Sequence, residues 1–181
     1  MATNRRLVTT NQPDCYVTPV SATLALLKVE KFHGSILEPA CGDGAISKVL
    51  KKHSHRVVSH DLYDYGYGRT GKDFLFRRAR CENLITNPPY NIANDFVLRA
   101  LDITDGKIAL LLRLAFLEGS YRLEAVYRKN PPSRVHVFSK RLSIYRLGST
   151  KRGGGTTAYG WFVWDMRGGL GKTELKWMTD V

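Results

Sequence analysis

Leu37-Glu38-Pro39-Ala40-Cys41-Gly42-Asp43-Gly44 is the end of an apolar strand running straight into small and Gly-rich turn residues. Ser35-Ile36-Leu37-Glu38 reads as a short buried strand. Gly44 to Lys52 carries Ile46, Val49 and Leu50 at helical spacing, and Arg56 to Asp61 reads as a second strand. The segment is therefore a β-α-β unit. Gly42 and Gly44 remove side chains that would keep a ligand from the backbone, and Glu38, at the strand's carboxyl end, can bind a cationic amino group. An ordinary tight turn between strand and helix would use the same residues.

The same alternation extends outward in both directions. Upstream, Pro19 to Leu27 reads as a helix opened by Pro in its first turn. Downstream come a buried strand at Asn83 to Thr86, a helix at Ala93 to Leu101, and a strand at Lys107 to Leu112. A helix near Gly119 to Lys129 and strands at Val135 to Phe138 and Tyr159 to Trp164 follow. The pattern predicts an α/β fold with a mostly parallel seven-stranded sheet, helices on both faces, and an antiparallel C-terminal edge strand from the final helix-less pair. No internal repeat or linker divides the chain, so one domain over 1–181 is expected, with a polar N-terminal arm (1–13) and a basic Gly-rich loop (148–157).

Lys and Arg number 28 against 16 Asp and Glu, a formal net charge of +12, which fits a polyanionic partner, with nucleic acid first. Cys15, Cys41 and Cys81 are odd in number and far apart, with no CxxC pair, so neither a disulfide framework nor a metal site is expected. The N-terminus lacks an apolar signal region, and no run approaches the ~18 apolar residues of a membrane span. A reducing cytoplasm, bacterial or that of a phage-infected host, is the expected compartment.

Three further features carry chemistry. Asp61 ends the second strand, where a carboxylate can accept both hydroxyls of a ribose, although a capping or solvated Asp would look the same. Asp73-Phe74 offers a carboxylate and a ring suited to an adenine. Asn87-Pro88-Pro89-Tyr90 follows a buried strand, where α/β folds place catalytic loops. The prolines lock the turn without offering an N–H, so the Asn87 side-chain oxygen and the Pro88 carbonyl can face an amino-group donor, with Tyr90 supplying a stacking face. The alternative is a rigid turn rich in Asn and Pro.

With these residues in place, the chain resembles a class I S-adenosylmethionine-dependent methyltransferase. Glu38 to Gly44 matches the cofactor loop and Asn87 to Tyr90 the amino-methyltransferase tetrapeptide. Tyr16-Val17-Thr18-Pro19, ahead of the cofactor loop, gives the γ-like motif order of phage-type DNA adenine-N6 methyltransferases. The resemblance spans roughly residues 14 to 117. It implies a cofactor site of Thr18, Pro19, Glu38, Pro39, Ala40, Gly42, Gly44, Asp61, Leu62, Asp73, Phe74 and Asn87. Asn87, Pro88, Pro89 and Tyr90 would be catalytic. Tyr90 and Trp164 would meet the substrate, Trp164 as a second base-stacking aromatic; Lys151 and Arg152 are read separately, from the charge of the 148–157 loop, as phosphate contacts, a solvated surface hairpin being the alternative. The implied reaction is methyl transfer to the N6 amine of adenine in DNA, with relaxed sequence specificity since no separate target-recognition domain is expected. RNA methylation at adenine N6 or guanine N2, protein glutamine methylation, and a non-catalytic nucleic-acid-binding module remain the alternatives.

Other motifs carry less. Gly66-Tyr67-Gly68-Arg69-Thr70-Gly71 matches a dinucleotide fingerprint but opens no helix, and Gly171-Lys172-Thr173 lacks the first Gly of a phosphate loop. His33, His53, His55, His60 and His136 read as solvated or packed.

Overall fold

A computed structural model describes residues 15–149, 155–169 and 171–178. The polar arm (1–13) and Lys151 and Arg152 of the basic loop lie outside the described residues. In chain order the elements are β1 (Tyr16–Val17), α1 (Val20–Val29), β2 (Ile36–Glu38), α2 (Ala45–Lys52), β3 (Val57–Ser59), β4 (Asn83–Thr86), α3 (Ala93–Ile103) and β5 (Lys107–Arg113). They continue with β6 (Arg134–Phe138), β7 (Tyr145–Arg146), β8 (Tyr159–Asp165) and β9 (Glu174–Met178). The segment expected as a helix near Gly119 to Lys129 is a short turn, Ser120–Arg122, widening into a π-helix over Leu123–Tyr127. Arg128 N–H reaches back to the Leu123 carbonyl (2.9 Å), while Val126 is buried within the turn.

The main sheet has seven strands in the order β3-β2-β4-β5-β8-β6-β9. β3, β2, β4 and β5 run parallel, β8 is antiparallel to both its neighbours, and β9 is parallel to β6. The sheet is thus mostly parallel, as expected, with its antiparallel strand β8 two places in from the edge strand β9. The reason is burial on both sides. Tyr159 to Trp164 are all buried, which an edge strand with one wet flank would not need, whereas β9 exposes Leu175 and Trp177.

Two cores cover the two faces. Ala22 and Leu26 of α1 and Ile46 and Leu50 of α2 pack with Trp161 and Val163 on one face. Phe96, Val97 and Ala100 of α3 pack with Phe162 and Trp164 on the other. The alternation of side chains along β8 therefore sends its two tryptophans to opposite cores. Trp161 donates to the Ala22 carbonyl (2.8 Å) and Trp164 to the Asn130 carbonyl (2.9 Å), so each buried indole N–H is satisfied.

The starts of β5 and β6 and the end of β8 meet around a buried carboxylate. Glu30 accepts from Lys107 Nζ (2.7 Å), His136 Nε2 (2.9 Å) and the Arg134 guanidinium, and Arg134 also reaches Asp165 (3.3 Å). Burial opposes ionisation of Glu30, but its three partners outweigh it and hold the carboxyl well below its usual range. This network pins one end of the sheet and leaves the opposite end, the carboxyl ends of β2, β4 and β5, for chemistry.

Candidate active site

From β2 the chain passes through α2 to β3 on one side, then returns to β4 on the other. That reversal opens a crevice at the carboxyl ends of β2 and β4, the usual ligand site of open α/β sheets. A cleft of about 600 Å³ lies there. Thr18, Glu38, Pro39, Ala40, Gly42, Asp61, Leu62, Asp73, Phe74, Asn87, Pro88, Pro89 and Tyr90 all line it. Pro19 and Gly44 flank it in sequence.

Glu38 closes β2 with 1% of its surface exposed, and Ser47 of α2 donates a hydrogen bond to it. Burial pushes its carboxyl up to about 8, against the Ser47 hydrogen bonds, and nearby Asp43 and Asp61 add to the rise. Among the described residues no cation pairs with Glu38, so the buried carboxyl group is placed to receive one. The turn after β2 is shaped by its glycines: Gly42 (φ 52°) and Gly44 (φ 83°) are left-handed, and a Cβ on Gly44 would lie 2.6 Å from the Tyr67 ring. Asp43 caps α2 through the Ala45 N–H (3.1 Å).

Asp61 holds this turn to the loop after β3. Its Oδ2 accepts from Gly42 N–H (2.8 Å) and its Oδ1 from Tyr63 N–H (3.0 Å). Each oxygen keeps a second lone pair, so the carboxylate can still accept two hydroxyls. Asp73 is fixed in the same way by the Leu75 N–H (2.9 Å), and Phe74 packs on Phe96 with ring centroids 4.8 Å apart.

On the opposite wall Asn87 leaves β4 and donates from Nδ2 to Thr18 Oγ1 (3.1 Å). Among the described residues its Oδ1 is buried without a hydrogen-bond partner. An unpaired buried polar atom costs about 1–3 kcal/mol, so Asn87 Oδ1 marks a place where a donor is missing. Burial also pushes the Tyr90 hydroxyl up and keeps it protonated. Pro89 accepts from Ile92 N–H (3.2 Å), which turns the chain into α3 immediately after the tetrapeptide.

The aromatic surroundings of Tyr90 differ from expectation. Trp164 is 0% exposed in the core below α3 and does not line the cleft, so the stacking role assigned to it is corrected. Tyr16 (5.5 Å between centroids) and Tyr159 (5.8 Å) flank Tyr90 instead, and the Arg113 guanidinium stands over its ring at 4.6 Å. Arg113 is the first charged residue after the apolar run of β5, a position that would have singled it out. Tyr16 arrives through the antiparallel pairing of β1 with β7, Tyr16 opposite Arg146.

Cys15 and Cys41 also line the cleft, but burial pushes their thiols up to about 11 and about 12, so neither is a thiolate nucleophile near neutrality. Among the described residues no cluster of His, Cys, Asp and Glu could hold a metal, and no helix is long and apolar enough to cross a membrane.

No protein-family model matches the sequence, and no curated protein sequence matches it. Solved structures do match in shape. The modification subunit of a putative type I restriction enzyme from Vibrio vulnificus superposes with a TM-score of 0.64 at 14% identity, over 92% of this chain and 47% of that one. This chain thus spans about half the length of that subunit. A putative RNA methyltransferase from Pyrococcus horikoshii gives 0.58 at 13% identity, over 80% of each chain. Magnesium protoporphyrin IX methyltransferase from Synechocystis, solved with bound SAM, gives 0.52 at 14% identity, over 80% of this chain and 76% of that one. Sheet order, crevice and superposition agree: the chain has the Rossmann-like fold of the S-adenosylmethionine-dependent methyltransferases.

Proposed function

We propose that the protein uses S-adenosylmethionine to methylate the exocyclic N6 amine of adenine in DNA. The observation that carries this reading is Asn87, whose buried Oδ1 lacks a donor in the cleft wall that faces Glu38, Asp61 and Asp73.

The residues fit the cofactor. The uncompensated Glu38 suits its ammonium group, the outward lone pairs of Asp61 suit the ribose, and Asp73 with Phe74 suits the adenine, Leu62, Pro39 and Ala40 lining the space between. Thr18, Pro19, Gly42 and Gly44 shape the walls. When bound, the cofactor supplies an electrophilic methyl group on a sulfonium.

An exocyclic amine is a poor nucleophile because its lone pair is delocalised into the ring. Asn87 Oδ1 and the Pro88 carbonyl accept its two hydrogens and favour the pyramidal nitrogen that attack requires. These bonds strengthen as the nitrogen becomes positive, so they stabilise the transition state more than the ground state. One of the two hydrogens held by Asn87 Oδ1 and the Pro88 carbonyl leaves as a proton to solvent as the N–C bond forms and the S–CH3 bond breaks, which leaves the cofactor as a neutral thioether. Pro89 keeps the loop rigid and Tyr90 stacks on the base, which leaves in-line alignment as the remaining requirement.

The net charge of +12 favours a polyanionic acceptor. The restriction modification subunit and the putative RNA methyltransferase among the structural neighbours are in keeping with one. Transfer of labelled methyl groups to duplex DNA, single-stranded DNA, structured RNA and ribosomal protein fractions, followed by nucleoside analysis, tests class and atom together. Label in N6-methyladenine of DNA is expected. Label confined to protein would refute the reading.

A further inference from the structure

Behind the wall formed by Asp73 and Phe74 lies a second pocket of about 270 Å³, which shares those residues, Pro39 and Lys72 with the main cleft. It is lined by His60, 8% exposed, whose buried Nε2 has no hydrogen-bond partner among the described residues. Arg77 lines the same pocket, and its Nε is likewise buried and unpartnered. Lys72 stands at the rim, and Phe76 leaves 80% of its surface in solvent. The one carboxylate on the wall, Asp73, has Oδ1 occupied by the Leu75 N–H.

We propose that this pocket holds one backbone phosphate of the nucleic acid, with an adjoining base stacked on Phe76; the proposal rests on the nucleic-acid reading above. Two unsatisfied N–H positions and a lysine around a small hollow are donors arranged for an oxyanion, and the Nε2-protonated imidazole needs no charge to donate. Burial first, and then Arg77, Arg69 and Lys72, lower the pKa of the His60 imidazole from its ordinary value. An anion would offset those three cations. A ring so exposed gains nothing from the core, but beside a phosphate site it is the stacking platform that single-stranded nucleic acids use. The pocket abuts the main cleft, so a strand anchored here passes the mouth where the acceptor base would enter.

The test uses Phe76→Ala and Arg77→Gln, a fluorescent single-stranded oligodeoxynucleotide, and anisotropy at several salt concentrations, with cofactor affinity measured by calorimetry. Phe76→Ala is expected to weaken oligonucleotide binding about five- to a hundredfold. Arg77→Gln should lower the log–log salt slope by about 0.7. Cofactor affinity should stay unchanged in both, and the His60 side-chain signals of the wild type should shift with the oligonucleotide and far less with inorganic phosphate. Variants that bind the oligonucleotide as the wild type does would overturn the pocket while leaving the nucleic-acid reading intact. Loss of cofactor affinity in both variants, or a His60 response to inorganic phosphate alone, would overturn it as well. Wild-type protein that binds no oligonucleotide and methylates only protein would remove both readings.

Discussion

Glu38 makes the sharpest demand on experiment, because its carboxyl is buried and raised from its ordinary 4.5 to about 8 before any cation arrives. Two pH dependences follow. In the unliganded protein the folded state keeps a proton that the unfolded chain gives up. The resulting stability, at most about 4–5 kcal/mol, is fully present below pH 4.5 and lost as pH rises through 8. Relative to Glu38→Gln, which keeps an acceptor for Ser47 but cannot ionise, the wild type should lose about 1.4 kcal/mol per pH unit between pH 5 and 8. Cofactor binding runs the other way. A cationic ammonium needs the carboxylate, so at pH 6 it must displace a proton from Glu38. Wild-type affinity should rise about tenfold per unit, roughly a hundredfold from pH 6 to 8, and then level off. Glu38→Gln should bind more weakly at pH 8 and vary little over this range. Denaturant titrations of both unliganded proteins and calorimetry with S-adenosylmethionine at pH 6, 7 and 8 measure the two slopes. Wild-type and Glu38→Gln proteins with parallel profiles in both experiments would refute the reasoning.

Asn87→Ala should abolish methyl transfer while changing cofactor affinity no more than a few fold, since the only tie it breaks towards the cofactor wall is the hydrogen bond to Thr18; labelled-methyl transfer and calorimetry read the two separately. Tyr90→Ala should cost about 1–3 kcal/mol of acceptor binding or turnover from lost stacking, measured with oligonucleotide substrates at saturating cofactor. At the far end of the sheet, Glu30→Ala should destabilise the fold by roughly 3–5 kcal/mol, because Lys107, Arg134 and His136 would lose their shared buried acceptor. Chemical denaturation checks the size of that loss, and a change under 1 kcal/mol would show the network to be dispensable.

The cofactor side of the cleft was legible in the sequence because each of its parts is local. A strand end, a left-handed Gly turn and a helix start must be consecutive, so Glu38, Gly42 and Gly44 declare themselves within a few residues. Asp61 and Asn87 are equally readable, each at or just after the end of an apolar run. The expected Trp164 role shows where local reading stops. Tyr159 to Trp164 is aromatic in any reading, but only the insertion of β8 between β5 and β6, a long-range fact, buries both faces and sends Trp164 into the core. β9 was missed for a related reason: it adds to the sheet through pairing with β6 and is mostly exposed, so it lacks the apolar run that marked the other strands.

The acceptor side is assembled from distant pieces throughout. Tyr90 comes from the tetrapeptide after β4, but Tyr16 of β1, Tyr159 of β8 and Arg113 at the end of β5 are brought to it by long-range pairing and not by their sequence neighbours. The β1–β7 pairing that carries Tyr16 is only two residues long, and one further backbone bond, from Leu147 N–H to the Cys15 carbonyl (2.8 Å), reinforces it. A ladder that short contributes little on its own. On the proposed reading the cofactor wall is built on the main sheet, while one side of the acceptor pocket is held by this short ladder. Arg113 reinforces this asymmetry: a guanidinium 4.6 Å above Tyr90 sits where a base would stack, so the exposed Arg113 side chain must move aside or share the ring when substrate enters. On the proposed assignment, adjustment on binding should concentrate on the acceptor side, where a base would enter and leave.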